Sequence, residues 1–134
     1  MCGIIACYHS TLPINALRKI ILKAGKKLRH RGPDSNGLCI LDNGIAILHE
    51  RLSIIDPESG AQPFDNNEII LSVNGEIYNH KELKKEITID YEFKTESDCE
   101  IIIPLYLQYG IDKCINKLSG MFSFILYDKI NKLM

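Results

Sequence analysis

The sequence predicts an α+β fold, a layered sandwich whose sheets are largely antiparallel. Three observations lead there. Short apolar runs of strand length outnumber the stretches with helical periodicity. Two adjacent runs are joined by Asp42-Asn43-Gly44, and Asn-Gly is a strong signal for an antiparallel hairpin. The helical stretches are also too few, and too irregularly spaced, for the alternation of a parallel βαβ sheet.

In chain order, Cys2 to Tyr8 is an apolar run suited to a buried strand. Ile14, Leu17, Ile21, Ala24 and Leu28 then recur at three- and four-residue spacing, as one face of a helix does. Pro13 suits its first position, and Ser10 or Thr11 can cap it. The helix should stop before Gly32-Pro33, because Pro33 disfavours helical geometry at Gly32. Gly37–Leu41 and Ile45–His49 are the hairpin strands. Residues 56–67 carry Asp, Pro, Gly and Asn and read as a loop. Glu68–Val73 is a further strand, ending at Asn74-Gly75.

Asn79 with Glu82 matches a capping box for a short helix through Ile87, and Tyr91–Lys94 reads as a strand. Ser97 with Glu100 matches a second capping box, opening a helix with Ile101, Ile102, Leu105 and Tyr109 inward. Pro104 should kink that helix or end it early. A short helix over 111–118 follows, with a break at Gly120. Met121–Tyr127 is apolar on both faces, like a strand buried between layers. Asp128–Lys132 reads as a turn, and Leu133-Met134 as the start of a partner strand. An open apolar edge there would make the chain unstable or self-associating when produced alone.

The composition narrows the function classes. A length of 134 residues points to a single domain, and 46% hydrophobic residues can fill its core. A net charge of -1 gives no general attraction to nucleic acid or anionic membrane. Residues 1–33 hold seven Lys or Arg and no acidic residue, which a solvated helix face accounts for. No apolar run reaches the roughly 20 residues of a bilayer span, and no secretory signal opens the chain. A cytoplasmic location is therefore expected. Cys2, Cys7, Cys39, Cys99 and Cys114 are odd in number and lack C-x-x-C spacing, so neither a metal site nor a disulfide framework is expected. His9, His30, His49 and His80 lack H-x-x-x-H spacing and read as structural.

Cys2 is the first candidate for chemistry. Removal of Met1 would leave a thiol and a free α-amine on one residue. Such an amine ordinarily titrates at about 7.7–8.0 and a thiol near about 8.5. A fraction of the amine is neutral at pH 7 and can take the thiol proton, so no histidine is needed as base. The plainer alternative is a small buried residue opening a strand. Asn74 and Gly75 are the second candidates, because a side-chain amide and a backbone N–H can serve an oxyanion. The alternative is an ordinary Asn-Gly turn. Arg51 offers a bidentate fork for a carboxylate, and Asp98 a charge for an ammonium group. A surface ion pair and a helix N-terminal charge are their alternatives.

Together the motifs resemble the glutaminase domain of glutamine-dependent asparagine synthetases, class II glutamine amidotransferases with an N-terminal-nucleophile fold. The stretches are Met1-Cys2-Gly3-Ile4, RHRGPD at 29–34, HERLSIID at 49–56, GAQPF at 60–64, NGEIYNH at 74–80, SDCE at 97–100 and LSGMFSFILYD at 118–128. They follow in family order over nearly the whole chain.

The resemblance implies a partial αββα sandwich and one type-2 amidotransferase domain over 1–134, incomplete at its C-terminus. It implies that Cys2 attacks the amide of L-glutamine to form a thioester, with Asn74 and Gly75 as the oxyanion hole. Arg51 would bind the α-carboxylate, with the backbone of Leu52, Ser53, Ile54 and Ile55 lining the site. Glu76 and Asp98 would hold the α-ammonium. No cofactor is implied for this chain. ATP and magnesium would belong to a separate synthetase domain or subunit that receives the ammonia. An inactive truncated remnant, or a module that only docks on a partner, is the rival expectation.

Overall fold

β1 (Gly3–Cys7) and β2 (Ser35–Leu41) both pair antiparallel with β3 (Ile45–Arg51), giving a sheet in the order β1-β3-β2. This computed structural model describes residues 1–53 and 60–134. Along β3 the register sets Glu50 opposite Gly3 and Ala46 opposite Cys7. The β2–β3 turn is a three-residue loop in which Gly44 alone takes a positive φ, of 79°. An L side chain there would be strained, and its Cβ would lie 2.1 Å from the Ser10 carbonyl. Asn43 does not need the left-handed conformation that its type tolerates. Its amide instead donates to the Tyr127 hydroxyl at 2.7 Å.

α1 (Ile14–Leu28) covers one face of this sheet. Leu17 and Ile21 pack with Ala46 and Leu48, while Gly25 lets the helix approach Leu48 closely. The buried stripe is narrower than the sequence suggested, since Ile14 is exposed. Pro13 is the residue before the helix, and its carbonyl accepts from Ala16 and Leu17 N–H. The Ser10 hydroxyl accepts instead from the Leu12 N–H, at 3.2 Å, so no side chain caps α1.

A second sheet runs in the order β4-β5-β6, with β4 at Phe64–Asp65, β5 at Ile69–Ile77 and β6 at Gly120–Asp128. β4 lies in the stretch that composition marks as loop. It forms because Asn66 Oδ1 accepts from the N–H groups of Glu68 and Ile69, closing a tight turn back onto β5. β5 does not end at Asn74-Gly75 but runs on to Ile77.

The chain divides into two compact units, and the division falls within β5 and β6. The first is Met1–Ser53, Ala61–Asn74 and Phe124–Met134; the second is Gly75–Ser123 and, among the described residues, Gly60. Within the first unit Ile45 and Ile47 of β3 pack with Ile70 of β5 and Tyr127 of β6. That unit is thus layered as helix, sheet, sheet, and each buried aliphatic side chain contributes roughly 1.5–3 kcal/mol. Its last segment turns at Asp128, whose carboxylate accepts from Ile130 and Asn131 N–H before Leu133 bridges back.

The second unit holds α2 (His80–Glu86), a 3-10 turn (Asp98–Ile101), α3 (Ile102–Tyr109) and α4 (Ile111–Lys117). Gly110, with φ of 76°, separates α3 from α4. Neither capping box forms as expected. The Asn79 side chain is taken by the Lys117 carbonyl and the Ser119 N–H. Ser97 Oγ accepts from the Cys99 N–H, and the Glu100 carboxylate is drawn away to Tyr91 OH, Lys94 N–H, Thr95 N–H and Thr95 OH. Tyr91–Lys94 is not a strand, and its Tyr91 OH and Lys94 N–H bond to that buried carboxylate. Pro104 neither kinks nor ends a helix. The helix begins anew at Ile102, so Pro104 falls in its first turn, where a missing N–H is tolerated.

β6 is buried only at Leu126–Asp128, not along its whole length, and Met121 is 73% exposed. It lies at an edge of its sheet. An edge of that kind recruits other strands. We therefore expect the 134-residue polypeptide on its own to associate with rising concentration in static light scattering, and Met121→Lys to reduce that association. A concentration-independent monomer would show the edge to be harmless.

Candidate active site

In the first unit the residue before β1 meets Asn74 of β5. The Cys2 backbone nitrogen, a peptide amide while Met1 is attached, donates to Asn74 Oδ1 at 2.7 Å. The Asn74 amide keeps Nδ2, which is purely a donor, besides the second lone pair of Oδ1. Cys2 is half-buried, and its Sγ lies 3.4 Å from the Leu52 nitrogen and 3.7 Å from the Leu52 carbonyl oxygen. The thiol is thus held at the end of β3, where Arg51 is buried and Leu52 and Ser53 lead out of the strand. Ile54 and Ile55 lie outside the described residues.

Three supporting contacts come from motif residues that spacing alone did not single out. Arg31 Nε donates to the Cys2 carbonyl at 3.2 Å. Asp34 Oδ2 accepts from the Ser53 N–H at 2.7 Å, anchoring the segment after Arg51. Gln62 Oε1 accepts from the Val73 N–H at 2.6 Å, next to Asn74. Arg31 and Asp34 belong to RHRGPD and Gln62 to GAQPF. The motifs flagged the stretches, but no periodicity distinguishes which member reaches the reactive end.

His49 was also missed as more than a core residue. It is fully buried, and its Nδ1 lies 2.8 Å from Ser72 Oγ. Its Nε2 is buried with no hydrogen-bond partner among the described residues. Such an orphan costs roughly 1–3 kcal/mol. Burial, and then the positive charge of Arg51, push the imidazole down from 6.5 to about 4, so it is neutral at pH 7.

The second unit carries the other candidates. Gly75 is exposed, with φ of 153°, and a Cβ there would lie 2.1 Å from the Met121 carbonyl. Its own carbonyl accepts from the Cys99 thiol at 3.6 Å. Asp98 is buried, and one carboxylate oxygen accepts from the Ile77 N–H at 2.6 Å. It borders a small cleft with His80, Lys84, Thr95 and Ser97. Glu76 is half-buried on β5. The structure thus brings Cys2, Leu52 and Asn74 together in the first unit, and Gly75, Cys99 and Asp98 around the end of β5 in the second. Among the described residues no three His, Cys, Asp or Glu side chains gather to hold a metal ion, and no helix is long and apolar enough to cross a membrane.

The family model described as "Glutamine amidotransferase domain" matches residues 1–134. The chain is 49% identical over 131 residues to a "Probable asparagine synthetase [glutamine-hydrolyzing]" of Schizosaccharomyces pombe, covering 96% of this chain and 23% of that protein. It is 47% identical over 131 residues to "Asparagine synthetase [glutamine-hydrolyzing] 1" of Arabidopsis thaliana, covering 96% of this chain and 22% of that protein. It is 45% identical over 130 residues to "Asparagine synthetase B [glutamine-hydrolyzing]" of Escherichia coli, with 96% and 23% covered. The chain therefore spans less than a quarter of the length of these relatives.

Proposed function

This chain belongs to the glutamine amidotransferase domain family, and on that premise we propose that it hydrolyses L-glutamine to glutamate and ammonia through a Cys2 thioester, in the service of asparagine synthesis. The observation that supports this most is the contact between the Cys2 nitrogen and Asn74 Oδ1. It sets the prospective base, the nucleophile and an oxyanion donor at one place.

In the proposed reaction Met1 is first removed. The Cys2 α-amine then takes the thiol proton, and Sγ attacks the side-chain amide carbon of glutamine. Negative charge develops on the amide oxygen, where Asn74 Nδ2 and the Gly75 N–H donate. The C–N bond breaks, the proton passes from the amine to the departing nitrogen, and ammonia leaves a glutamyl thioester. Water then attacks the thioester, its proton returns to sulfur, and glutamate is released. Arg51 binds the α-carboxylate, the backbone of Leu52 to Ile55 lines the site, and Glu76 and Asp98 hold the α-ammonium.

No cofactor takes part in these steps. The ammonia acceptor is proposed to be a synthetase domain or subunit that consumes ATP with magnesium, in the cytoplasm. Neither nucleic acid nor membrane enters the reading.

Two results test it. Intact-mass analysis of active protein should show Met1 removed. Efficient glutamine hydrolysis by protein that fully retains Met1 would sink the amine-as-base scheme. Arg51→Lys keeps the charge but not the bidentate fork. Its glutamine affinity should fall clearly in a calorimetric titration, and an unchanged affinity would take Arg51 out of the site.

A further inference from the structure

The pair of His49 and Ser72 is used by none of the steps above, yet it stands two residues along each strand from residues that are. Side chains two apart on a strand share a face. On β5, Ile70, Ser72 and Asn74 therefore form one row, and on β3, Ile45, Ile47, His49 and Arg51 form another. Contacts confirm the facing of these rows in the first unit: Ile47 and Ile70 share one apolar cluster, and His49 bonds to Ser72. Beyond that pair, Asn74 reaches Cys2, the residue before β1. The interface is apolar at one end and meets Cys2 through Asn74 at the other. The histidine–serine bond lies between the two.

We propose that the His49–Ser72 bond is a positioning device for Asn74, locking β5 against β3 so that the Asn74 amide meets the Cys2 nitrogen. Apolar packing is non-directional and tolerates small slips between sheets. A hydrogen bond sets both distance and angle. Ser72 is two residues from Asn74, so a slip at Ser72 carries the amide with it. The pair is also a poor choice for stability alone. It leaves His49 Nε2 buried with no hydrogen-bond partner among the described residues, where another aliphatic would continue the row of Ile45 and Ile47.

The kinetic part of this inference rests on the glutaminase reading, and the test separates the two. In the full chain, the double variant His49→Leu with Ser72→Ala replaces both partners by apolar groups, an exchange that can be neutral or stabilising. We expect Tm to hold or rise while kcat for glutamine hydrolysis falls by about tenfold, since small misplacements at a reacting centre are costly. KM should change little. In a 15N-edited NMR spectrum the Asn74 side-chain amide signals should shift.

His49→Asn puts an amide near the place of Nδ1, and should restore both the Asn74 signals and most of kcat. Should the double variant not fold, Ser72→Ala alone carries the same readouts. Unchanged kcat with unmoved Asn74 signals would overturn the proposal. So would a kcat loss that merely follows a loss of Tm. A parent protein without glutaminase activity, in which the Asn74 signals still move, would overturn the glutaminase reading and leave the positioning role standing.

Discussion

Cys2→Ala is expected to abolish glutamine hydrolysis while leaving the fold intact. The substitution removes one sulfur from a half-buried residue whose thiol makes only long contacts, 3.4 and 3.7 Å, with the Leu52 backbone. The backbone nitrogen that meets Asn74 is kept. The other four thiols are placed elsewhere. Cys7 packs against the apolar cluster of Leu17, Ile21, Ala46 and Leu48. Burial pushes the Cys114 thiol up to about 11. Burial, and then the carboxylate of Asp65, push Cys39 up to about 11. A thiol that stays protonated is a poor nucleophile. Cys99 is buried and donates to the Gly75 carbonyl. Ammonia release should drop to background, with the circular dichroism spectrum and Tm of the parent retained. Turnover near the parent level would mean that another nucleophile carries the reaction.

Asn74→Ala should lower kcat by about 10²–10³-fold with a smaller change in KM, because oxyanion donors act mainly in the transition state. Asn74→Asp sharpens the test. Its carboxylate keeps an acceptor for the Cys2 nitrogen but has no N–H to give an oxyanion, and it adds negative charge where more develops. It should be at least as slow as alanine. If Asn74 served only to hold Cys2 in place, aspartate would instead restore most of the activity lost in alanine. Steady-state kinetics on the two variants therefore separates positioning of the nucleophile from stabilisation of the intermediate. A change confined to KM in both would remove Asn74 from the chemistry.

The regular elements were largely legible. Short apolar runs and the Asn-Gly turn placed β1, β2, β3 and their hairpin within a few residues. The series from Ile14 to Leu28 placed α1, and the α+β class with antiparallel pairing followed from their order. The two capping boxes fail for one cause. Asn79 and Glu100 each had a plausible local role, and in each a different partner prevails. Asn79 is claimed by Lys117 and Ser119, some forty residues on. Glu100 is claimed by the loop before it. Local propensity sees only neighbours, whereas a buried carboxylate or amide takes whichever donors the packed chain brings to it.

The same limit divides the site. Sequence alone offered Cys2 as a candidate nucleophile that could carry its own base, Asn74 and Gly75 as candidate donors, and Arg51 and Asp98 as candidate charges for an amino acid, each beside a plainer alternative, since these follow from the chemistry of residue types. It could not say which way the Asn74 amide points. That was decided by the approach of Cys2 to β5, where its nitrogen meets Oδ1. It could not separate His49 from the other histidines either. Only the stacking of β3 on β5 sets that imidazole against Ser72, two residues from Asn74. Residue type determines what a group can do. Which of its atoms are already engaged depends on contacts between residues distant in the chain, and those exist only once the sheets have packed.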